Sequence, residues 1–338
     1  MKLLITGGGG FVGARLARTL LARGQLDGRK IERMVLTDIA PPPADLLADA
    51  RVQARTGTLL SQTEAIGQED FDGVFHLASA VSGECELDFE LGLRSNLDST
   101  RALLDALRAR TAASGKVPRF VFSSSVAVFG PDPSFAWPGT VADDTLPAPQ
   151  TSYGTHKLMC EYLIADYTRK GYLDGRSARL MTVTVRPGRP NGAASGFFSG
   201  IIREPLAGVE SVCPVDPQVS HPMSSPAQTV DGLIKVYEAT REQLNGRLAL
   251  NLPGLNVRVA DMLAALEEVA GPEVRALVRF ERDERIAGIV ANWPSGGTAA
   301  RAAKLGLHPY ASFAEIIREY IADCQAGPNA AQTLKGLQ

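Results

Sequence analysis

Cysteine, tryptophan and histidine are all scarce in this chain of 338 residues, with four, two and four copies, and each scarcity removes a class of protein. Cys85, Cys160, Cys213 and Cys324 are scattered without any CxxC pairing, so the spacing writes in neither a disulfide framework nor a thiolate metal site. Lone thiols of this kind are expected to be reduced and mostly buried, as suits a cytoplasmic protein. An excess of one charge is also missing. Thirty-five basic against thirty-seven acidic residues leave a net charge of −2, which gives no footprint for nucleic acid or an anionic membrane. No apolar run reaches the ~20 residues of a membrane span, and Leu3-Leu4-Ile5 meets glycine too soon to be a signal-peptide core. Nothing has metal-ligand spacing, and no metal is expected.

What remains is strand–helix alternation. Short apolar runs at Lys2–Thr6, Arg33–Thr37, Gly73–Leu77, Arg119–Ser123 and Met181–Val185 read as strands, with helical periodicity at Phe11–Arg23, Leu93–Arg110 and Ser152–Thr168. Strands apolar throughout suit a parallel sheet covered on both faces. The expectation is an α/β fold, a Rossmann doubly wound parallel sheet over 1–186. A smaller, loop-rich C-terminal substrate subdomain follows over 187–326, with some chain returning to the sheet. Residues 186–226 are rich in Pro, Gly and Ser and read as loop. Helical pattern resumes at 258–270 and 312–324, and 327–338, small and polar, reads as a flexible tail.

The first chemical signal is the run from Gly7 to Gly13, placed between a strand and a helix. Gly7, Gly10 and Gly13 allow a tight turn, close approach to a pyrophosphate and close helix packing, and the helix N-terminus offers free N–H groups to the phosphates. Asp38 ends the second strand, where a carboxylate can accept both ribose hydroxyls and repel a 2′-phosphate. With no cation at Thr37 or Ile39 to hold such a phosphate, NAD is favoured over NADP.

The second signal is Tyr153-Gly154-Thr155-His156-Lys157. Among seven tyrosines only this one has lysine four residues on, one turn away on the same helix face. A nearby ammonium lowers a phenol's pKa of ~10 and lets it exchange a proton with a substrate hydroxyl. Ser125 ends a strand at the sheet edge where open α/β sheets bind ligands, and can hold the reacting oxygen near Tyr153.

Taken in order, Gly7-x-x-Gly10-x-x-Gly13, Asp38, His76-Leu77-Ala78-Ser79, Asn96, Ser123 to Gly130 and Tyr153-x-x-x-Lys157 resemble the extended short-chain dehydrogenase/reductase family, which includes nucleotide-sugar epimerases. The likeness covers nearly the whole chain, as far as Leu305-Gly306. It implies that Tyr153 is the general acid/base, that Lys157 lowers its pKa and binds the nicotinamide ribose, and that Ser125 orients the substrate oxygen. It further implies cofactor contacts from Gly7, Gly10, Phe11, Val12, Gly13, Asp38, Ala78, Ser79, Tyr153, Lys157 and Pro187. Asn96 is implied among the cofactor-binding residues too, supporting the active-site helix. Members are often dimers through paired helices, for which those at Leu93–Arg110 and Ser152–Thr168 are candidates.

Departures from the family pattern narrow the substrate. Dehydratases carry two adjacent acids after the catalytic Ser/Thr, where this chain has Val126 and Ala127. The Arg-Asp-Phe-x-His-Val segment of sugar-nucleotide enzymes is replaced by the stretch from Val219 to Pro226, and no Lys or Arg lies between Glu204 and Ile234. A buried diphosphate wants such cations. Val81-Ser82-Gly83-Glu84, Tyr153-Gly154-Thr155, Arg186 to Asn191, Ile202 to Leu206 and Cys213-Pro214-Val215 resemble a branch that oxidises the C2 hydroxyl of a four-carbon sugar acid with NAD. Pro222-Met223 departs from that branch, where an aromatic is usual. Arg189, Arg203 and Asn191 are candidate carboxylate anchors, with Ser82 and Glu84 for hydroxyls. Arg203 also reads as half of a surface ion pair with Glu204, His221 equally as a loop residue or a ligand contact, and His76 as a satisfied core histidine. The second reading is a nucleotide-sugar epimerase that retains its NAD.

Overall fold

Seven parallel strands run through the centre of the computed structural model, which describes residues 1–188 and 194–337. In chain order they are β1 (Lys2–Thr6), β2 (Arg33–Asp38), β3 (Val52–Thr56), β4 (Gly73–His76), β5 (Arg119–Ser125), β6 (Asp174–Leu180) and β7 (Leu250–Asn251). They lie side by side as β7-β6-β5-β4-β1-β2-β3. The order reverses between β1 and β4, and the crevice beyond their C-terminal ends is where such a sheet takes a ligand.

The principal helices are α1 (Phe11–Arg23), α2 (Leu59–Gly67), α3 (Ser82–Leu87), α4 (Ser99–Ser114), α5 (Ser152–Arg169), α6 (Gly196–Leu206), α7 (Pro226–Glu238), α8 (Val259–Ala270) and α9 (Phe313–Ala326). Successive strand residues point to opposite faces, and both faces are covered. Leu3, Ile5, Leu36 and Phe75 meet Leu16 and Leu20 of α1 and Val230 and Leu233 of α7. On the other face Leu4, Val35, Val74 and Phe120 meet Leu103 and Leu107 of α4 and Cys160 and Ile164 of α5. A π-helical turn at Leu93–Asp98 leads into α4.

The apolar run Met181–Val185 does not supply the sixth strand of this sheet. That strand is β6, of sequence Asp-Gly-Arg-Ser-Ala-Arg-Leu, whose arginines conceal it from a hydrophobic pattern. Arg176 is buried by bonds to the carbonyls of Val236 and Tyr237 and to Asp174. Arg179 is buried by a bidentate bond to Glu161. Thr182–Val183 instead joins Ser220–Ser224 and Leu255–Arg258 in a second, three-stranded sheet.

This sheet belongs to a smaller lobe with its own core, where Phe198, Ile201, Met262, Leu266, Ile316 and Ile317 meet. The stretch read as loop, 186–226, contains α6 and the strand Ser220–Ser224. Glycine, serine and Pro205 obscure the periodicity of α6, yet Phe198, Ile201, Ile202 and Leu206 are fully buried. The terminal segment also differs from the flexible tail expected of it. Ala330–Thr333 is helical, Leu334 enters the second core and Gly336 lies against the Pro205 carbonyl. Strand β7 pairs with β6 in the central sheet, and α7 packs on that sheet's face. No helix of the described residues is long and apolar enough to cross a membrane.

Candidate active site

The crevice between β1 and β4 is shaped by glycine. Gly7 has a φ of +72°, a conformation that favours glycine. A Cβ on Gly13 would lie 2.1 Å from the Gly7 carbonyl oxygen, and one on Gly7 would lie 2.7 Å from the Ala78 nitrogen. Turn, helix and β4 loop are therefore in backbone contact. Gly10 caps α1 without a side-chain bond, so the N–H groups of Phe11, Val12 and Gly13 point from a positive helix end into the crevice. Asp38, at the end of β2, accepts the Gly9 N–H at 2.9 Å. Close backbone, free donors and a carboxylate at this spacing fit the pyrophosphate and adenosine ribose of a dinucleotide.

The wall formed by residues 77–81 is held from behind. Thr6 Oγ1 accepts the N–H groups of Leu77 and Ala78, both at 3.2 Å, and pairs with His76 Nδ1 at 2.6 Å. The far ring nitrogen of His76 meets Thr100, which itself donates to the Asn96 carbonyl. His76 is thus a satisfied core residue, and burial pushes its pKa down to about 3. Asn96 Oδ1 accepts from Ala80 N–H at 2.7 Å and from the Ser79 hydroxyl at 3.0 Å, while its amide nitrogen donates to the Ala80 carbonyl and Cys85 Sγ. Its side chain is spent on shaping the Ser79–Cys85 wall.

Helix α5 delivers Tyr153 and Lys157. Thr151 caps it by accepting the Gly154 N–H, and Glu86 of α3 accepts the Ser152 N–H at 2.8 Å. A Cβ on Gly154 would lie 2.1 Å from the Ala127 carbonyl oxygen, so the first turn of α5 rests directly on the turn that follows Ser125. This contact brings Tyr153 to Ser125. Burial pushes the phenol's pKa up, while a hydrogen bond from Ser125 and the charge of Arg186 pull it down.

Lys157 is buried, donates to the Ser123 carbonyl at 2.8 Å, and lies 4.8 Å and 5.5 Å from the ring centres of Phe122 and Tyr153. Loss of hydration lowers its pKa to about 8. Its ammonium lies over one face of the phenol ring. The charge of Arg186 also pulls the phenol's pKa down, a role that sequence reasoning missed. Its Nε donates to the Val183 carbonyl and its Nη2 to Ser195 Oγ, both at 2.9 Å.

The substrate candidates separate. Ser82 opens α3, half-buried beside the 77–81 wall. Glu84 instead turns back to the Val81 N–H at 3.0 Å. Arg203 is buried and donates to the Arg186 carbonyl at 2.9 Å and to Glu204. It therefore braces the loop that carries Arg186, and its pair with Glu204 is not a surface one. Pro187 is exposed on that loop, and Arg189 and Asn191 fall outside the described residues. His221 is buried with Thr182 Oγ1 and the Pro294 carbonyl at its two nitrogens and is stacked on Phe198, a structural histidine of the second lobe. Cys85, Cys160 and Cys213 are buried free thiols, and Cys324 is half-buried. Among the described residues no group of His, Cys, Asp and Glu could hold a metal ion.

A dinucleotide cradle facing a Ser–Tyr–Lys set defines a class, and residues 3–217 match the model of the NAD dependent epimerase/dehydratase family. The chain belongs to that family. It is 48% identical to D-erythronate dehydrogenase of Cupriavidus necator, covering 96% of this chain and 98% of that one. It is 41% identical to D-erythronate dehydrogenase of Haemophilus influenzae, covering 95% and 99%. Among solved structures, the nucleoside-diphosphate-sugar epimerase of Agrobacterium tumefaciens superposes with a TM-score of 0.91 at 42% identity, over 97% of this chain and 95% of that one. The protein is an NAD-dependent oxidoreductase acting on a CH–OH group.

Proposed function

We propose that the protein oxidises the C2 hydroxyl of a small sugar acid, D-erythronate, to 2-oxo-D-erythronate. The observation that carries this reading is the full-length likeness to two proteins named for that acid, together with the Ser125–Tyr153–Lys157 set in one crevice. NAD, when bound, accepts the hydride leaving C2. Tyr153 takes the hydroxyl proton as general base, Ser125 holds the same oxygen, and Lys157 stabilises the phenolate from below while binding the nicotinamide ribose. Phe11, Val12 and Gly13 hold the pyrophosphate, Asp38 the adenosine ribose, Ala78 and Ser79 the cleft wall, and Pro187 the nicotinamide side. Ser82, Arg189 and Asn191 are the substrate contacts this reading keeps.

The test is NADH formation from NAD with a panel of sugar acids. D-erythronate should be the best of them, and Tyr153→Phe should cost ~10²–10⁴-fold in turnover with NAD binding retained. Interconversion of UDP-sugars without NADH release would replace this reading by epimerisation, which the lack of cations between Glu204 and Ile234 disfavours. Exposed Met159 and Tyr162 on α5 support a homodimer through α4 and α5, measurable by sedimentation. Four free thiols suit the cytoplasm.

A further inference from the structure

Glu161 and Arg179 form a buried charged pair that the chemistry above leaves unused. Glu161 lies on α5 one turn beyond Lys157 and two beyond Tyr153, within the buried stripe that includes Cys160 and Ile164. Its carboxylate receives Arg179 Nε at 2.9 Å and Nη2 at 2.8 Å, and also the Ser124 hydroxyl. Both charged residues are 5% exposed. Ser124 sits between Ser123, whose carbonyl holds Lys157, and Ser125, whose hydroxyl faces Tyr153. Three elements, β5, β6 and α5, thus meet at one carboxylate, one residue along β5 from Ser125 and one turn along α5 from Lys157.

Burying two charges is expensive, and well-packed apolar side chains often hold a core as firmly. Directional bonds do what apolar contact does not: they fix how far a helix slides along a strand. We propose that Glu161 and Arg179 are positioning residues for the proton transfer. Their ion pair, joined by Ser124, sets the register of α5 on β5 and so the separation of Ser125, Tyr153 and Lys157. The inference rests on Tyr153 being the acid/base group. A cavity of about 220 Å³ is lined by both members of the pair, with Asp143, Thr145, Pro147 and Ala249 among its other walls, and gives small ions a way to the pair.

The test is steady-state kinetics of Ser124→Ala, Glu161→Gln and Arg179→Ala, with Tyr153→Phe run beside them on whichever sugar acid the unmodified enzyme oxidises. In Glu161→Gln, kcat should fall by about tenfold, short of the ~10²-fold that a 1 Å misplacement can cost. Ser124→Ala, which leaves the ion pair in place but unties it from β5, should lose about three- to fivefold, and KM for NAD should stay within about twofold in both. Millimolar guanidinium should restore part of kcat to Arg179→Ala, where sodium chloride of equal ionic strength should not. If folded Ser124→Ala and Glu161→Gln, or Ser124→Ala alone where Glu161→Gln does not fold, keep kcat within about twofold while Tyr153→Phe is inactive, the positioning role is wrong. Full activity in Tyr153→Phe would overturn the site reading itself.

Discussion

Replacing Gly13 by alanine probes the cofactor cradle most directly. The added methyl would lie 2.1 Å from the Gly7 carbonyl oxygen and 3.0 Å from the Gly8 Cα, both of them backbone. A C···O contact settles at ~3.3–3.6 Å, so α1 or the turn must give way by more than ~1 Å. Where several donors must meet one ligand, about 1 Å of misplacement costs ~10²-fold. The dissociation constant for NAD should rise by that factor. The assay is thermal unfolding with NAD at about 100 times the unmodified protein's dissociation constant. Binding there adds ~2.7 kcal/mol to the unmodified protein and only ~0.4 kcal/mol to the variant. At ~2 °C per kcal/mol for a chain of this size, Tm should rise by about 5 °C in the first and less than ~1 °C in the second. Gly24→Ala is the control. It has a φ of +67° but nothing within 4 Å of the new methyl, so it should lower Tm by its backbone cost of ~1–2 kcal/mol and leave the NAD response intact. An NAD-induced rise in Gly13→Ala equal to the unmodified protein's would refute the reasoning, because the turn would then relax at no cost to the pyrophosphate site.

Asp38→Ala should weaken NAD and narrow its advantage over NADP, and an unchanged ratio of the two affinities would remove Asp38 as the selector. Lys157→Met should abolish most turnover yet hold or raise stability at pH 7. Burial depresses this lysine from 10.5 to about 8, so its charged form costs the native state on the order of ~1–3 kcal/mol there. Urea denaturation checks this, and a large loss of stability would show that its bond to Ser123 outweighs desolvation. His76 and His221 are held neutral by burial, with pKa values near 3 and 4 against 6.5. The unfolded chain binds protons below about pH 6.5 where the native state does not. Their contribution is therefore fully present above that pH and is lost as the pH falls toward the native values. Tm should drop steeply on acidification from about pH 6.5, and His221→Gln should flatten the drop. Equal slopes in the two proteins would contradict the assignment.

The parts of this molecule that were legible beforehand are those where one residue type is tied to one local geometry. Gly7 and Gly13 are demanded by a left-handed turn and a backbone contact, and the Tyr153–Lys157 spacing by the pitch of a helix. Hydrophobic patterning located β1, β2, β4 and β5 because their burial is achieved by apolar side chains. It failed at β6, where burial is achieved by arginines whose partners, Glu161 on α5 and the carbonyls of the last turn of α7, are remote in sequence. One signal was available: Glu161 is a charge on the buried stripe of α5, and such a charge requires a partner. The roles of Arg203 and Arg186 were not legible either. In the sequence Arg203 reads as a carboxylate anchor or as half of an ion pair with Glu204, and only the fold decides that it holds the Arg186 carbonyl while the charge of Arg186 reaches the phenol.

The path of the chain between the lobes has a consequence for how such a protein can change. After β6 the chain enters the smaller lobe, returns as α7 and β7, and leaves again through Leu255–Arg258 and α8. No single cut separates a cofactor-binding half from a substrate-binding half, and truncation after Arg186 would strip the sheet of β7 and of the α7 cover over Leu3, Ile5 and Phe75. Recombination that exchanges one contiguous block for another would therefore deliver a broken sheet along with a new pocket. New substrates have to be acquired in place, residue by residue, on a lobe whose threading is inherited whole.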